Sequence, residues 1–192
     1  MRKHNKFDII AVDNRSDKKK LRHLGETLHI NTISHRATAV QSKPIVHRTR
    51  DKPLVSILTL TYNGRHLLQK CADHLYRNTD PGQFEWLILD DLSTDDTEEF
   101  FNDHIQQYDN AHFVKPQNKI ANFSKANNIL ARQASGQYLL FLNNDAYVQK
   151  DWLTQLLSRI ENDPTIGMMG SLLLFPQNGA IQHCGVVFLD HG

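Results

Sequence analysis

The 192-residue chain is poor in cysteine, in glycine-rich loops and in long apolar runs, and each shortage removes a class of protein. Its two cysteines, Cys71 and Cys184, form no CxxC pair. They suggest no disulfide framework, and a reducing, cytoplasmic compartment fits. No run approaches the ~20 apolar residues of a membrane span. The amino-terminal stretch contains no apolar h-region, so no signal peptide is visible. Neither GxGxxG nor GxxxxGK[ST] occurs, and the only glycine just after the first apolar run is Gly64. The sequence therefore argues against a dinucleotide fingerprint and a phosphate-cradling P-loop. Eleven histidines are scattered without ligand spacing.

Net charge is also small, +1, but it is unevenly placed. Residues 1–52 hold 13 of the 22 Lys/Arg and 5 of the 21 Asp/Glu, giving +8 there and −7 in the remainder. Such a leader is either a solvated arm or a surface for an anionic membrane or acceptor, and the charge alone leaves both open. It lacks interleaved aromatics, so no nucleic-acid partner is expected. Within it, "FDIIAVDNRSDK" (Phe7–Lys18) aligns without a gap to "FEWLILDDLSTD" (Phe84–Asp95). This is either a partial strand–turn repeat or chance likeness of two strand ends. Residues 19–53 read as a polar, basic linker.

From Leu54 the pattern changes to alternation. "LVSILTLTY" is a continuous apolar and β-branched run, as in a strand buried on both faces. "RHLLQKCADHLYR" places Leu67, Leu68, Cys71 and Leu75 on one helical stripe, which makes Cys71 a core residue. "FEWLILDD" is a second strand. Ser93 and Asp96 are spaced as N-cap and N3 acid of a helix carrying Phe101, Ile105 and Tyr108. "AHFVK" is a third strand. "FSKANNILARQAS" is a helix closed by Gly136 at C′. "QYLLFL" is a fourth strand, and "DWLTQLLSRI" a helix capped by Asp151. "IGMMGSLLLF" and "AIQHCGVVFL" read as two apolar strands around the turn "PQNG". Strands alternating with helices predict an α/β fold with a mostly parallel sheet flanked by helices.

Parallel sheets bind ligands beyond the carboxyl ends of their strands, where strand order reverses. Polar residues stand at three such ends: Tyr62 and Asn63, Asp90 and Asp91, and Asn143, Asn144 and Asp145. Taken singly, each group is also ordinary turn or cap chemistry; their convergence carries the functional reading. Asp145 with Asn143 offers oxygen to a hard divalent cation, Mg²⁺ or Mn²⁺, whose shell a diphosphate and waters would complete. A nucleotidyltransferase would use similar parts, but "TYNGRH" offers one Gly and one Arg for a triphosphate.

The ordered series "VSILTLTYN", "LILDDLSTDDT", "NFSKANN", "ASGQYLLFLNNDAYV", "DWL" and "IQHCGVV" resembles family 2 glycosyltransferases of GT-A fold. The form "NFSKANN…FLNND…QHCGVV" is most similar to the bacterial subgroup that builds rhamnose-containing or related surface polysaccharides. The resemblance implies inverting, metal-assisted transfer from a UDP- or dTDP-linked sugar to a glycan or lipid-linked acceptor. It places Tyr62 and Asn63 at the nucleoside and gives Asp90 the base. It gives Asp91 and Ser93 the shaping of that loop, and Lys125 a phosphate. Asn128 matches a family asparagine, and His183 faces the sugar–diphosphate region or is a satisfied strand histidine. Asn143–Asn144–Asp145 stands in place of the DxD triplet, with Asp145 and Asn143 at the metal. Asn143 departs from the triplet's first acid. The family's general base lies on a later segment, so residues 54–192 are read as a GT-A domain lacking its C-terminal acceptor half. A non-catalytic nucleotide-sugar-binding or interaction domain is the alternative. Peripheral contact with the inner membrane face through the leader is a further expectation.

Overall fold

A computed structural model describes residues 54–164 and 166–183. The leader with its repeat-like segment, and the stretch from Cys184 onward, lie outside the described residues. The elements are β1 (Val55–Thr61), α1 (Arg65–Asn78), β2 (Phe84–Asp90), α2 (Thr97–Phe100), β3 (Ala111–Val114), α3 (Phe123–Gln133), β4 (Tyr138–Phe141), α4 (Trp152–Asn162), β5 (Leu173–Leu174) and β6 (Ile181–His183). Helix α2 runs on into a π-helical turn, Phe101–Ile105.

Four strands form one parallel sheet in the order β3-β2-β1-β4. β1 and β2 are central, and nearly every residue in them is buried, which explains their unbroken apolar character. Register pairs Thr61 with Asp90 at the last rung. On one face Val55, Ile57, Trp86 and Leu140 pack against α1, α2 and α4. On the other, Leu58, Leu87, Leu89 and Leu139 pack against Ala126 and Leu130 of α3. The preference for right-handed crossovers accounts for this split. The chain steps outward from β1 to β3, then returns past β1 to β4, and the reversed step lands α3 on the opposite face. The switch in direction opens a crevice between the carboxyl ends of β1 and β4. Both tryptophans in these layers are satisfied: Trp86 Nε1 donates to Thr59 Oγ1, and Trp152 Nε1 to Thr79 Oγ1, each at 2.8 Å.

Several local expectations differ from the fold. The second helix begins at Thr97, because Ser93 is held by Asp90 and Asp95 takes the Thr97 N–H at 3.2 Å. Asp151 precedes α4 with φ 61° and makes no side-chain cap bond; an N-cap of the usual kind sits in extended backbone. Gly136 is required by close approach rather than by helix termination. A Cβ there would lie 2.6 Å from the Ser56 nitrogen and 2.8 Å from the Val55 carbonyl carbon. The last two strands shrink to an antiparallel pair with Gly179 at φ 67° between them. Met168 and Phe175 nearby are exposed.

Candidate functional site

The ends of β1 and β2 are tied together by side chains. Asp90 is fully buried, and its carboxylate accepts from the Ser93 N–H (3.1 and 3.3 Å to its two oxygens) and from the Ser93 hydroxyl. Ser93 Oγ in turn accepts the Asn63 N–H at 2.8 Å. The Asn63 side-chain oxygen accepts the Thr94 N–H at 2.7 Å. Asp91 reaches the next loop: its two oxygens accept the Ile120 and Ala121 N–H groups at 2.7 and 2.9 Å. Asp95 accepts from the Arg65 N–H at 3.3 Å, at the start of α1. Burial pushes the Asp95 carboxyl up, but hydrogen bonds from the Thr97 hydroxyl and from the Arg65 and Thr97 N–H groups outweigh it and hold it below its ordinary value.

Tyr62 stands at the edge of this frame, 48% exposed, with the Lys119 ammonium 3.2 Å from its ring centroid. Lys125 lies exposed in the first turn of α3, where Asn122 caps the helix by accepting the Lys125 N–H at 2.8 Å. Asn128 is exposed on the same helix; its neighbour Asn127 is the buried one and donates to the Phe123 carbonyl.

The third strand end continues the β1–β4 register. Asn144 Nδ2 donates to Thr61 Oγ1 at 3.2 Å, bringing the two polar strand ends into contact. Asn143 and Asp145 are exposed and line an open cleft of about 810 Å³. No described residue hydrogen-bonds or ion-pairs with the Asp145 carboxylate. Its charge is felt beneath: burial first, then Asp145, pushes the Cys71 thiol up to about 12. Among the described residues no trio of His, Cys, Asp or Glu gathers to hold a metal alone. A carboxylate that no described residue engages, with the Asn143 amide on the same cleft, nevertheless fits a hard divalent cation that draws its remaining ligands from a diphosphate and water. His183 is half-buried in β6; its neighbour Gln182 is the residue that lines the cleft.

The frame thus joins Tyr62, Asn63, Asp90, Asp91, Ser93 and Asn144 by contact or by chain adjacency, with Asn143 and Asp145 on the cleft beside it. Lys125 and Asn128 sit on α3. Sequence reasoning missed Thr94, Asp95, Lys119 and the cleft residues His74 and Tyr147. Thr94 and Asp95 stand inside a quoted motif. Lys119, His74 and Tyr147 carry no sequence signal that distinguishes them from surface residues.

Residues 56–183 match Glycosyl transferase family 2. O-antigen biosynthesis protein RfbC of Myxococcus xanthus is 35% identical over 165 residues, which are 83% of this chain but 12% of RfbC. Staphylococcal TarS 1-349 in complex with UDP-GlcNAc superposes with a TM-score of 0.52 at 24% identity, over 56% of this chain and 31% of that one. Mannosyltransferase PcManGT from Pyrobaculum calidifontis, in complex with GDP-Man and Mn²⁺, gives 0.55 at 22% identity, over 66% and 37%. The structural likenesses are likenesses of fold, and the chain spans only a minor part of each of these relatives. With the family match covering most of the described residues, the chain belongs to glycosyl transferase family 2 and has the GT-A fold.

Proposed function

We propose that residues 54–192 bind a nucleoside-diphosphate sugar, UDP- or dTDP-linked, together with Mn²⁺ or Mg²⁺. In this reading they serve an inverting transferase that adds a sugar to a glycan or lipid-linked acceptor in surface-polysaccharide synthesis. The observation that carries this is the junction of three strand ends at the switch point, with a carboxylate that no described residue engages, Asp145, on the adjoining cleft. The form "FLNND…QHC" favours a hexosyl or rhamnosyl donor. The basic leader, residues 1–53, is assigned to an anionic membrane face or acceptor.

Roles divide along the hydrogen bonds. Tyr62 and Asn63 line the nucleoside pocket. Asp90 braces the loop through Ser93, and the base contact falls to Asp91, which keeps accessible surface and one further lone pair on each oxygen. A carboxylate there accepts from a uracil- or thymine-type N–H. Lys119 and Lys125 bring positive charge to the diphosphate. The cation, when bound, would be held by Asp145 with Asn143 and would neutralise charge on the departing nucleoside diphosphate. Asn144 fixes the triplet against β1. No described residue is assigned the general base, and His183 is a candidate for the sugar side only.

A melting series with UDP, dTDP, GDP and ADP, with and without Mn²⁺, tests the reading on this chain and on Asp145→Ala. A ligand at 100 times its dissociation constant adds about 2.7 kcal/mol to stability. The expected result is a Mn²⁺-dependent rise with UDP or dTDP that Asp145→Ala abolishes. No rise with any nucleotide overturns the donor site. Asn143, where the triplet's first acid would stand, favours a second reading: a donor-binding domain without transfer activity of its own. Product formation with a bound donor separates the two.

A further inference from the structure

Tyr62 and Lys119 stand on different loops, and Asp91 is tied to both. The Asp91 N–H donates to the Thr61 carbonyl at 2.9 Å, and the Asn63 N–H donates to Ser93 Oγ at 2.8 Å, so the backbone is held on each side of Tyr62. The Asp91 carboxylate accepts the Ile120 and Ala121 N–H groups, at 2.7 and 2.9 Å, just after Lys119. With the backbones fixed in this way, the side chains are what is left to move. Lys119 is exposed, and its ammonium is carried on a flexible four-carbon stem.

That ammonium lies 3.2 Å from the Tyr62 ring centroid, the contact of a cation seated on the ring face. No described carboxylate ion-pairs with Lys119. Tyr62 is 48% exposed, so the pair is open to a ligand from solvent. Nucleic-acid bases stack on the faces of such rings. An ammonium at this height fills the space that a base stacked on the same face would need. Tyr62 as a nucleoside wall and Lys119 as a cation for the diphosphate therefore cannot both act while the pair stands as it does. One movement of the Lys119 side chain resolves the conflict, off the ring and onto phosphate oxygen.

We propose that Lys119 is a specificity-determining latch on the nucleoside site. In the empty site its ammonium covers the Tyr62 ring. A nucleoside diphosphate exchanges one contact for two: the base takes the ring, and the diphosphate takes the ammonium. A nucleoside without phosphates must displace the same ammonium and offers it no anion in return, so the site selects against it. The latch rests on the donor-site reading and deepens it, by naming the residue that separates a nucleoside diphosphate from its parent nucleoside.

NMR titration of the whole chain with uridine, thymidine, UDP and dTDP, in Mg²⁺, tests this on wild type and Lys119→Ala. Loss of an exposed cation–π contact should tighten nucleoside binding about two- to fivefold in Lys119→Ala. The same substitution removes a charge-assisted contact to phosphate, so diphosphate binding should weaken, and the ratio of diphosphate to nucleoside affinity should fall about tenfold. Lys119→Arg, which keeps a cation able to stack on Tyr62 and to bind phosphate, should restore the ratio. In the ligand-free chain the Lys119 Cε protons should be shifted upfield by the Tyr62 ring, and both Tyr62→Leu and the bound diphosphate should remove that shift. Nucleoside affinity that is equal or lower in Lys119→Ala, nucleoside binding absent from both chains, or a Lys119 shift that the bound diphosphate leaves in place overturns the latch. The two failures are distinct. If neither diphosphate binds wild type, the donor-site reading falls and the latch with it; if one binds while nucleoside affinity is indifferent to Lys119→Ala, the latch alone falls.

Discussion

Gly64→Ala is the sharpest probe of how the strand ends fit together. Gly64 lies between β1 and α1, and its backbone, at φ −125°, accepts alanine without conformational strain. The obstacle is steric. A Cβ there would stand 2.7 Å from Asn144 Nδ2 and 3.0 Å from Thr61 Oγ1. Asn144 must swing away, and Thr61, almost fully buried, loses its donor. The lost hydrogen bond is worth about 1 kcal/mol, and displacing packed atoms costs about 1 kcal/mol more. The total, about 2 kcal/mol, corresponds to a fall in melting temperature of about 4–8 °C for a chain of this size. Gly170→Ala is the control, since nothing lies within 4 Å of its added carbon. The decisive measurement is a double-mutant cycle with Asn144→Ala, which removes the clashing amide. In that background Gly64→Ala should cost less than half as much, the remainder reflecting Thr61 and the poorer N-cap. Equal costs in both backgrounds, or a melt indistinguishable from Gly170→Ala, would refute the assigned contact. Nucleotide-dependent stabilisation should weaken in Gly64→Ala as well, because Asn144 sits between Asn143 and Asp145, the two residues proposed for the cation.

Two further outcomes follow from titratable groups. Asp95 has its folded-state pKa held below 3.8, so it contributes stability at and above that pH and loses the contribution as pH falls through the lowered value. Urea unfolding should therefore show wild type more stable than Asp95→Asn at pH 7, with the gap closing as pH falls below 3.8; a gap that does not change with pH would exclude this role. The Cys71 thiol, buried and pushed up to about 12, should resist iodoacetamide at pH 8 in the native state. Peptide mapping should find it modified only at the rate of unfolding, and native-state labelling at the rate of a free thiol would contradict its burial.

The sequence made the sheet legible because β1 and β2 are buried on both faces and have no polar side to disguise them. The α1 stripe was legible for the matching reason: Leu68, Cys71 and Leu75 all face the core. What sequence could not disclose was how adjacent residues of one type divide their work. Asp90 and Asp91 are both acids at a strand end, yet one is fully buried against Ser93 and the other spans to the next loop. Ser93 read as a helix cap because its spacing to Asp96 suits one; instead its N–H and hydroxyl donate to Asp90 and its oxygen accepts the Asn63 N–H. The cleft was invisible for another reason. It joins α1, the β4–α4 loop and the β5–β6 hairpin, and no local pattern links His74, Tyr147 and Gln182.

The scarcity of glycine in these loops has a structural counterpart. Each of the four loops leaving the carboxyl ends of the parallel strands contains one non-glycine residue in the left-handed region: Asn63, Leu92, Ala121 and Asp151, at φ 47°, 61°, 46° and 61°. Such residues cost on the order of 1–3 kcal/mol apiece and persist only where their surroundings over-determine them. The surroundings of three are identifiable. The Asn63 side chain accepts from Thr94, Leu92 lies between Asp91 and Ser93, and the Ala121 N–H is held by Asp91. A glycine-rich loop lets the backbone approach phosphate closely and supplies N–H groups as the positive surface. Here those N–H groups are occupied by the chain's own carboxylates, at Ser93, Ile120 and Ala121. Loops built in this way are shaped by internal braces and cannot also cradle a diphosphate with the same donors. In the proposed donor site the charge of a nucleoside diphosphate therefore falls to groups outside the braces, which is the physical reason for proposing Lys119, Lys125 and a cation at Asp145 for that task.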